Sequence, residues 1–307
     1  MNHGKSVNPT PLVGISNSLF TDFAVEVMVK RDDLNHPLIQ GNKWHKLKLN
    51  LVHAKQQQKD CLVTFGGAYS NHIAATAIAA QQAGLGSIGY IRGEELKNHP
   101  KKWSSTLIEA SKNGMQLRFL NRTAYRNKDQ ADFIANINSN HLNAYLLPEG
   151  GSNQLAVDGF KTLMDDIETQ CPEWTHLFTA VGTGGTLAGL IKHAHYQAHR
   201  KIHGVAVLKQ ADYLLPQISQ WSKTDQPQVN WSLLTGYHGG GYGKLSESLK
   251  AFKTAFETEF NIPLDPVYTV KMVHAFYQEL QKGHIAKGSK VVLLHTGGLQ
   301  GNPSKSI

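Results

Sequence analysis

The chain has 307 residues, 40% of them hydrophobic and 18% charged, enough to bury one or two cores without disulfide staples. No stretch reaches the roughly 18 continuous apolar residues of a membrane span, and Met1-Asn2-His3-Gly4-Lys5-Ser6 runs into Pro9-Thr10-Pro11-Leu12 without the apolar core of a secretory signal, so a soluble, cytoplasmic protein is expected. The formal charge of +8 raises nucleic acid as a partner, yet Lys and Arg are scattered among Asp and Glu, the pattern of a solvated surface and not of a phosphate-tracking groove.

In chain order, residues 1–45 hold a strand at 25–30 but no complete βαβ unit. Runs rich in β-formers then alternate with helical patterns: strands at 61–65, 87–91, 115–120 and 143–147, with helices over 71–83, 103–113 and 128–137 between them. This series predicts a mainly parallel sheet covered on both faces. Beyond Pro148-Glu149-Gly150-Gly151-Ser152-Asn153, strands at 177–181, 204–208 and 290–294 predict a second unit of the same kind. The expected fold is α/β, with two doubly wound parallel-sheet domains: a small one, 46–150, inserted in a larger one, 1–45 plus 151–307. Cys61 and Cys171 follow no metal-ligand spacing and read as reduced structural thiols. The 16 histidines contain no H-E-x-x-H pair, and no metal site is expected.

Several segments carry chemistry. Val181-Gly182-Thr183-Gly184-Gly185-Thr186 joins an apolar strand to a helix, and backbone amides at such a helix start form an anion site that glycines leave open to a phosphate. A dinucleotide fingerprint would need glycine where Leu187 stands, and a Walker loop would need Gly-Lys-Ser/Thr. Lys43 follows Gly41-Asn42 at the start of a helix, with Lys46 one turn on and Lys30 and Lys48 nearby in sequence. Desolvation and neighbouring cations lower an amine's pKa and make it nucleophilic. Phe65-Gly66-Gly67-Ala68-Tyr69-Ser70-Asn71-His72 runs from strand to helix, where Ser70 or Asn71 can cap and the free amides can hold a carboxylate. Tyr242, in a run of glycines, and Tyr268, after Asp265-Pro266-Val267, offer phenols for proton traffic or simple packing. His295-Thr296-Gly297-Gly298 follows the last strand, at the end where open α/β sheets place ligands.

As a set, these residues resemble the pyridoxal-phosphate enzymes of the tryptophan-synthase-β fold (fold type II), specifically the 1-aminocyclopropane-1-carboxylate deaminase/D-cysteine desulfhydrase family. The likeness runs from Pro9–Leu12 through Lys30-Arg31-Asp32-Asp33-Leu34, Gly41–Lys43, Ser70–His72, Pro148–Asn153, Gly182–Thr186 and Asp265–Tyr268 to His295–Gly298. It implies pyridoxal 5'-phosphate as cofactor, Lys43 as the Schiff-base lysine, and Lys46, Gly182, Thr183, Gly184, Gly185 and Thr186 around the phosphate. It implies Asn71 on the cofactor's 3-hydroxyl, and Ser70, Asn71 and His72 around the substrate carboxylate. Tyr242 and Tyr268 would flank the substrate, with Ser70 as a further acid/base or nucleophile.

Ring-opening members of that family carry glutamate where this chain has Thr269, near the pyridine nitrogen, and leucine where it has Thr296. A neutral partner suits departure of a good leaving group from Cβ better than ring opening. The resemblance therefore implies a homodimeric lyase acting on D-cysteine or a similar small amino acid, and the composition and N-terminus add the expectation that it is cytoplasmic, with no membrane or nucleic-acid partner. Trp44-His45 and Val270 depart from the family pattern. Ring-opening deamination and elimination from another β-substituted acid stay open as alternatives. So does a non-catalytic phosphate- or nucleotide-binding module.

Overall fold

The structure, a computed structural model, describes residues 9–299. Ten strands build two sheets: β1 (Leu12–Ile15), β2 (Glu26–Lys30), β3 (Cys61–Gly67), β4 (Gly86–Arg92), β5 (Met115–Leu120), β6 (Ala144–Leu146), β7 (His176–Val181), β8 (Lys201–Ala206), β9 (Asn230–Leu234) and β10 (Lys290–Leu294). The helices are α1 (Ser18–Asp22), α2 (Asn42–Gln56), α3 (Asn71–Ala83), α4 (Ser105–Lys112), α5 (Arg122–Arg126), α6 (Ala131–Asn140), α7 (Gln154–Asp158), α8 (Lys161–Gln170), α9 (Gly185–His193), α10 (Leu215–Ser222), α11 (Glu247–Phe260) and α12 (Thr269–Gln281).

The larger sheet runs β1-β2-β10-β7-β8-β9 and the smaller β5-β4-β3-β6. Every pairing is parallel except β1 with β2. Because helices cover both faces, the central strands are apolar throughout, as in Val291-Val292-Leu293-Leu294 of β10. One core, with Phe178, Phe276 and Val291, fills one side of the larger sheet, and a second, with Trp174, Leu187 and Val292, fills the other. The smaller sheet has cores of its own around Leu62, Ile73 and Phe65.

Strand order reverses at one place in each sheet. In the larger sheet β7, β8 and β9 proceed one way, whereas β10 returns to the other side of β7. In the smaller sheet β3, β4 and β5 proceed one way and β6 lies on the other side of β3. Open α/β sheets leave a crevice beyond the carboxyl ends of the strands at such reversals. The segments after β3, β6, β7 and β10 are four of the glycine-bearing motifs of the sequence.

The elements differ from the sequence expectation in a few places. The helix expected over 128–137 is α6, which starts three residues later at Ala131, and it is preceded by a short helix that was not expected, α5, whose start Asn121 caps through a 2.9 Å bond from the Ala124 amide. The strand expected at 204–208 is β8, three residues earlier at its start, because His203 is buried within it against Phe178. β1 and β9 were not foreseen; both are edge strands, and their sequences show little alternation. Cys61 and Cys171 are free, and burial pushes both thiols up in pKa.

Candidate active site

Gly41 opens α2 with φ +60°, and a Cβ there would stand 2.0 Å from the Thr296 carbonyl oxygen, so the head of this helix is pressed against the segment after β10. The Gly41 amide donates to Asn35 Oδ1 at 2.8 Å, while Asn35 Nδ2 donates back to the Gly41 carbonyl at 3.0 Å. His45 Nε2 lies 3.1 Å from both oxygens of Asp32, which fixes the next turn of the helix. Asn35, Asp32 and His45 were given no role in the sequence reading. Asp32 lay inside a quoted motif, but its partner is thirteen residues away.

Two lysines project from this helix head. Lys43 Nζ donates to Asn42 Oδ1 at 2.9 Å and sits 5.9 Å from the centre of the Tyr268 ring. Its side chain is partly open to the crevice, yet protein atoms crowd its amine, and this desolvation lowers its pKa to about 8 against the opposing pull of Asp265. Lys46 is buried, and donates to Ser152 Oγ at 2.8 Å, the Gly150 carbonyl at 3.1 Å and Thr183 Oγ1 at 3.4 Å. Burial first, and the like charge of Lys43 second, push Lys46 well below the ordinary lysine range. Desolvation thus lowers Lys43 as expected, while the like charge of the pair bears on Lys46. Lys30 and Lys48 are engaged elsewhere, with Thr10, Gln170 and Thr162.

Facing these lysines is the turn from β7 into α9. Gly184 takes φ +83°, and a Cβ on Gly185 would lie 2.6 Å from Ser152 Oγ and 3.5 Å from Lys46 Nζ, so only glycine admits this approach. Thr183 Oγ1 is 2.6 Å from Ser152 Oγ, and Thr186 Oγ1 accepts from Asn42 Nδ2 at 3.0 Å. The first amides of α9 have no partner within the helix. Among the described residues Lys46 has no carboxylate partner. The Lys46 amine, an uncapped helix start and hydroxyls therefore converge where an anion would find complementary donors and charge. Those residues fit a phosphate monoester, and Lys43 stands close enough to couple electrostatically with Lys46. Ser152 was not singled out in the sequence, since its importance depends on a contact with a residue 106 positions away.

The turn from β3 into α3 brings in the remaining side chains. Ser70 stands at the cap position, but its hydroxyl makes no capping bond, contrary to the simple capping reading. Asn71 is buried, and a Cβ on Gly298 would lie 3.0 Å from its Nδ2 and 3.3 Å from Asp265 Cβ, so the segments after β3 and β10 and before α12 meet at one point. The His72 ring is turned into the smaller sheet, 2.8 Å from Thr64 Oγ1. Burial, then Lys43 and Lys46, hold that imidazole well below its usual pKa. What His72 presents to the crevice is its place in the first turn of α3.

Tyr268 Oη donates to Tyr242 Oη at 3.3 Å, with the rings 6.1 Å apart at 71°. Burial raises both phenols, Tyr268 well above its ordinary range, so both are protonated donors at neutral pH. Thr269 opens α12 but its hydroxyl is committed: it donates to Asp265 Oδ2 at 2.6 Å and accepts from the Asp265 amide at 2.8 Å. Asp265 also receives the amides of Val267 at 2.9 Å, Tyr268 at 2.8 Å and Thr269 at 2.7 Å. Thr296 is buried and meets α2 through its carbonyl, which accepts from the Asn42 amide at 3.3 Å. No group of three or more metal-ligating side chains occurs among the described residues, and no helix there is long and apolar enough to cross a membrane.

Comparison with known proteins gives the site a context. A family model described as pyridoxal-phosphate dependent enzyme matches residues 5–297. A protein of Pyrococcus horikoshii, named provisionally as a 1-aminocyclopropane-1-carboxylate deaminase, is 28% identical over 302 residues, covering 95% of this chain and 90% of its own. The mitochondrial bifunctional D-cysteine desulfhydrase/1-aminocyclopropane-1-carboxylate deaminase of Arabidopsis thaliana is 28% identical over 316 residues, covering 95% of this chain and 77% of its own. Among solved structures, an ACC deaminase homologue superposes with a TM-score of 0.75 at 27% identity, covering 95% of this chain and 90% of its own. Serine racemase from Dictyostelium discoideum shares the fold, with a TM-score of 0.67 at 18% identity and coverage of 95% and 92%.

Proposed function

This chain belongs to the pyridoxal-phosphate dependent enzyme family, and from that premise we propose that it is a β-eliminating lyase of small amino acids, with D-cysteine as first substrate. The overall reaction takes D-cysteine and water to pyruvate, hydrogen sulfide and ammonia. The observation that carries the choice is Thr269, a neutral hydroxyl bound to Asp265 where ring-opening relatives in the resembled family carry glutamate.

When bound, pyridoxal phosphate supplies an electron sink for the carbanion left at the substrate's Cα. Lys46, Gly182, Thr183, Gly184, Gly185 and Thr186 would hold its phosphate, and Asn71 its 3-hydroxyl. Lys43 would hold its aldehyde carbon, and Lys43 Nζ would take the proton from the substrate's Cα, a task that suits an amine lowered to about 8. Ser70 and the first amides of α3 receive the substrate carboxylate, where the helix dipole favours an anion. Tyr242 and Tyr268, kept protonated by burial, face the leaving group and offer it a hydrogen-bond donor. Thr269 and Thr296 line the ring side.

We propose a homodimer, which the family resemblance supports, located in the cytoplasm. The two sheets support a division into a domain of 1–45 plus 151–307 and an inserted domain of 46–150. Ring-opening deamination is the second reading, because a relative's name carries both activities. Product analysis separates them: D-cysteine yields pyruvate with sulfide, whereas 1-aminocyclopropane-1-carboxylate yields a four-carbon 2-oxo acid with ammonia alone. Turnover of the cyclopropane acid and not of D-cysteine contradicts the proposal.

A further inference from the structure

Lys271 is fully buried, 0% exposed, in the first turn of α12, and the chemistry proposed above leaves it without a task. Its Nζ makes one hydrogen bond among the described residues, to the Gly241 carbonyl at 2.8 Å. The nearby Asp265 favours its charge, but the oxygens of that carboxylate are occupied by three amides and the Thr269 hydroxyl. An enclosed ammonium is costly unless its head does something that an apolar side chain of equal length would not.

The head grips an unusual loop. Gly239, Gly240, Gly241 and Gly243 all take positive φ, at +57°, +93°, +114° and +68°. A run of glycines loses more conformational freedom on ordering than any other sequence, so it needs ties from outside. Inside the loop there are short-range bonds, from the Gly241 amide to the His238 carbonyl at 3.1 Å and from the Lys244 amide to Gly241 at 3.1 Å. From outside, the Lys271 stem passes so close that a Cβ on Gly239 would lie 3.5 Å from Cε. The next residue after Gly241 is Tyr242, 38% exposed, with its phenol against that of Tyr268. Tyr268 immediately precedes α12. One helix turn thus governs both phenols: Tyr268 through the chain, and Tyr242 through Lys271 and Gly241.

We infer that Lys271 is a positioning residue whose ammonium, held on the Gly241 carbonyl, fixes the glycine loop so that Tyr242 stands against Tyr268 beside Lys43. The inference rests on the reading of Tyr242 as a group that faces substrate. Its test uses the full chain loaded with cofactor, in Lys271→Met, Lys271→Arg, Tyr242→Phe and Lys271→Met/Tyr242→Phe forms. Without substrate, hydrogen exchange at residues 238–244 is expected to rise about tenfold or more in Lys271→Met, as when a local tie is lost, while exchange in α9 and the cofactor's visible band stay as in the parent. With substrate, kcat should fall in Lys271→Met by the same factor as in Tyr242→Phe with KM little changed, the double variant should fall no further, and Lys271→Arg, which keeps a donor, should recover part of the rate.

Unchanged exchange at 238–244 overturns the inference, as does a double variant whose loss is the product of the two single losses. If Lys271→Met does not fold, Lys271→Gln, with a shorter donor, takes its place under the same criteria. Should no substrate turn over, the functional reading fails, and the exchange result alone still decides whether Lys271 holds the loop.

Discussion

The helices that begin at Asn42 and at Thr269 meet at the same crevice but start in opposite ways. α2 has glycine at its cap, no side-chain cap and no acid in its first turn, and it points two lysines from the end of the helix whose dipole is already positive. α12 begins beneath Asp265, whose carboxylate takes four hydrogen bonds from the turn it anchors. The first start has no local cap, takes its bonds from distant segments such as the Thr296 carbonyl and Asn35, and brings two lysines to the crevice with no acid beside them in its first turn; the second is complete in itself. Local rules are broken where a ligand is meant to restore them and kept where the fold must hold still.

The contrast is broken most sharply at Lys43. Lys43→Met should lower turnover by about 1000-fold or more, the scale of a positioned proton-transfer group, and remove the covalent absorption band, yet leave the denaturation midpoint of the cofactor-free protein no lower. The pH dependence carries the same information. Folding lowers Lys43 from 10.5 to about 8, so between those values the unfolded chain binds more protons and the cofactor-free protein gains stability from this group as pH rises. The gain is complete above about 10.5 and is lost as pH falls through about 8. Lys43→Met should flatten that part of a stability profile measured by urea unfolding.

Asp265→Ala tests the other helix and should reverse the pattern. With the cap lost and buried amides left without acceptors, unfolding free energy should drop by about 3 kcal/mol, read from urea midpoints without cofactor. A variant as stable as the parent would remove the distinction between the two helix starts. A smaller effect is expected at Lys46. Replacing it by methionine removes a buried cation, so cofactor-free stability should hold or rise, while affinity for pyridoxal phosphate in equilibrium dialysis should fall about tenfold, one charge-assisted hydrogen bond.

Much of this was open to reading in the sequence, for physical reasons that can be named. Central strands such as β3 and β10 are apolar because helices cover both faces, and glycine-rich turns stand out because few other residues allow the backbone shapes they take. The edge strands β1 and β9 escaped because each pairs on one side only and is left largely half-exposed, so its sequence has neither the buried apolar run of a central strand nor a clear alternation. Lys43 and Lys46 were legible as a pair one turn apart. Ser152, Asn35 and Lys271 were not, since each matters through a contact that only the folded chain makes: Ser152 on Lys46, Asn35 on Gly41, Lys271 on Gly241. The resemblance implies Thr269 as a neutral partner near the pyridine nitrogen, and the commitment of its hydroxyl to Asp265 appears only once the turn closes.

The most direct test of the central claim is the visible absorption spectrum of the cofactor-loaded protein, recorded before and after addition of D-cysteine with pyruvate and sulfide assayed in the same sample. The account predicts a band that shifts or bleaches on mixing while both products accumulate, and that is absent in Lys43→Met. A band indifferent to D-cysteine, with no pyruvate formed, would contradict it.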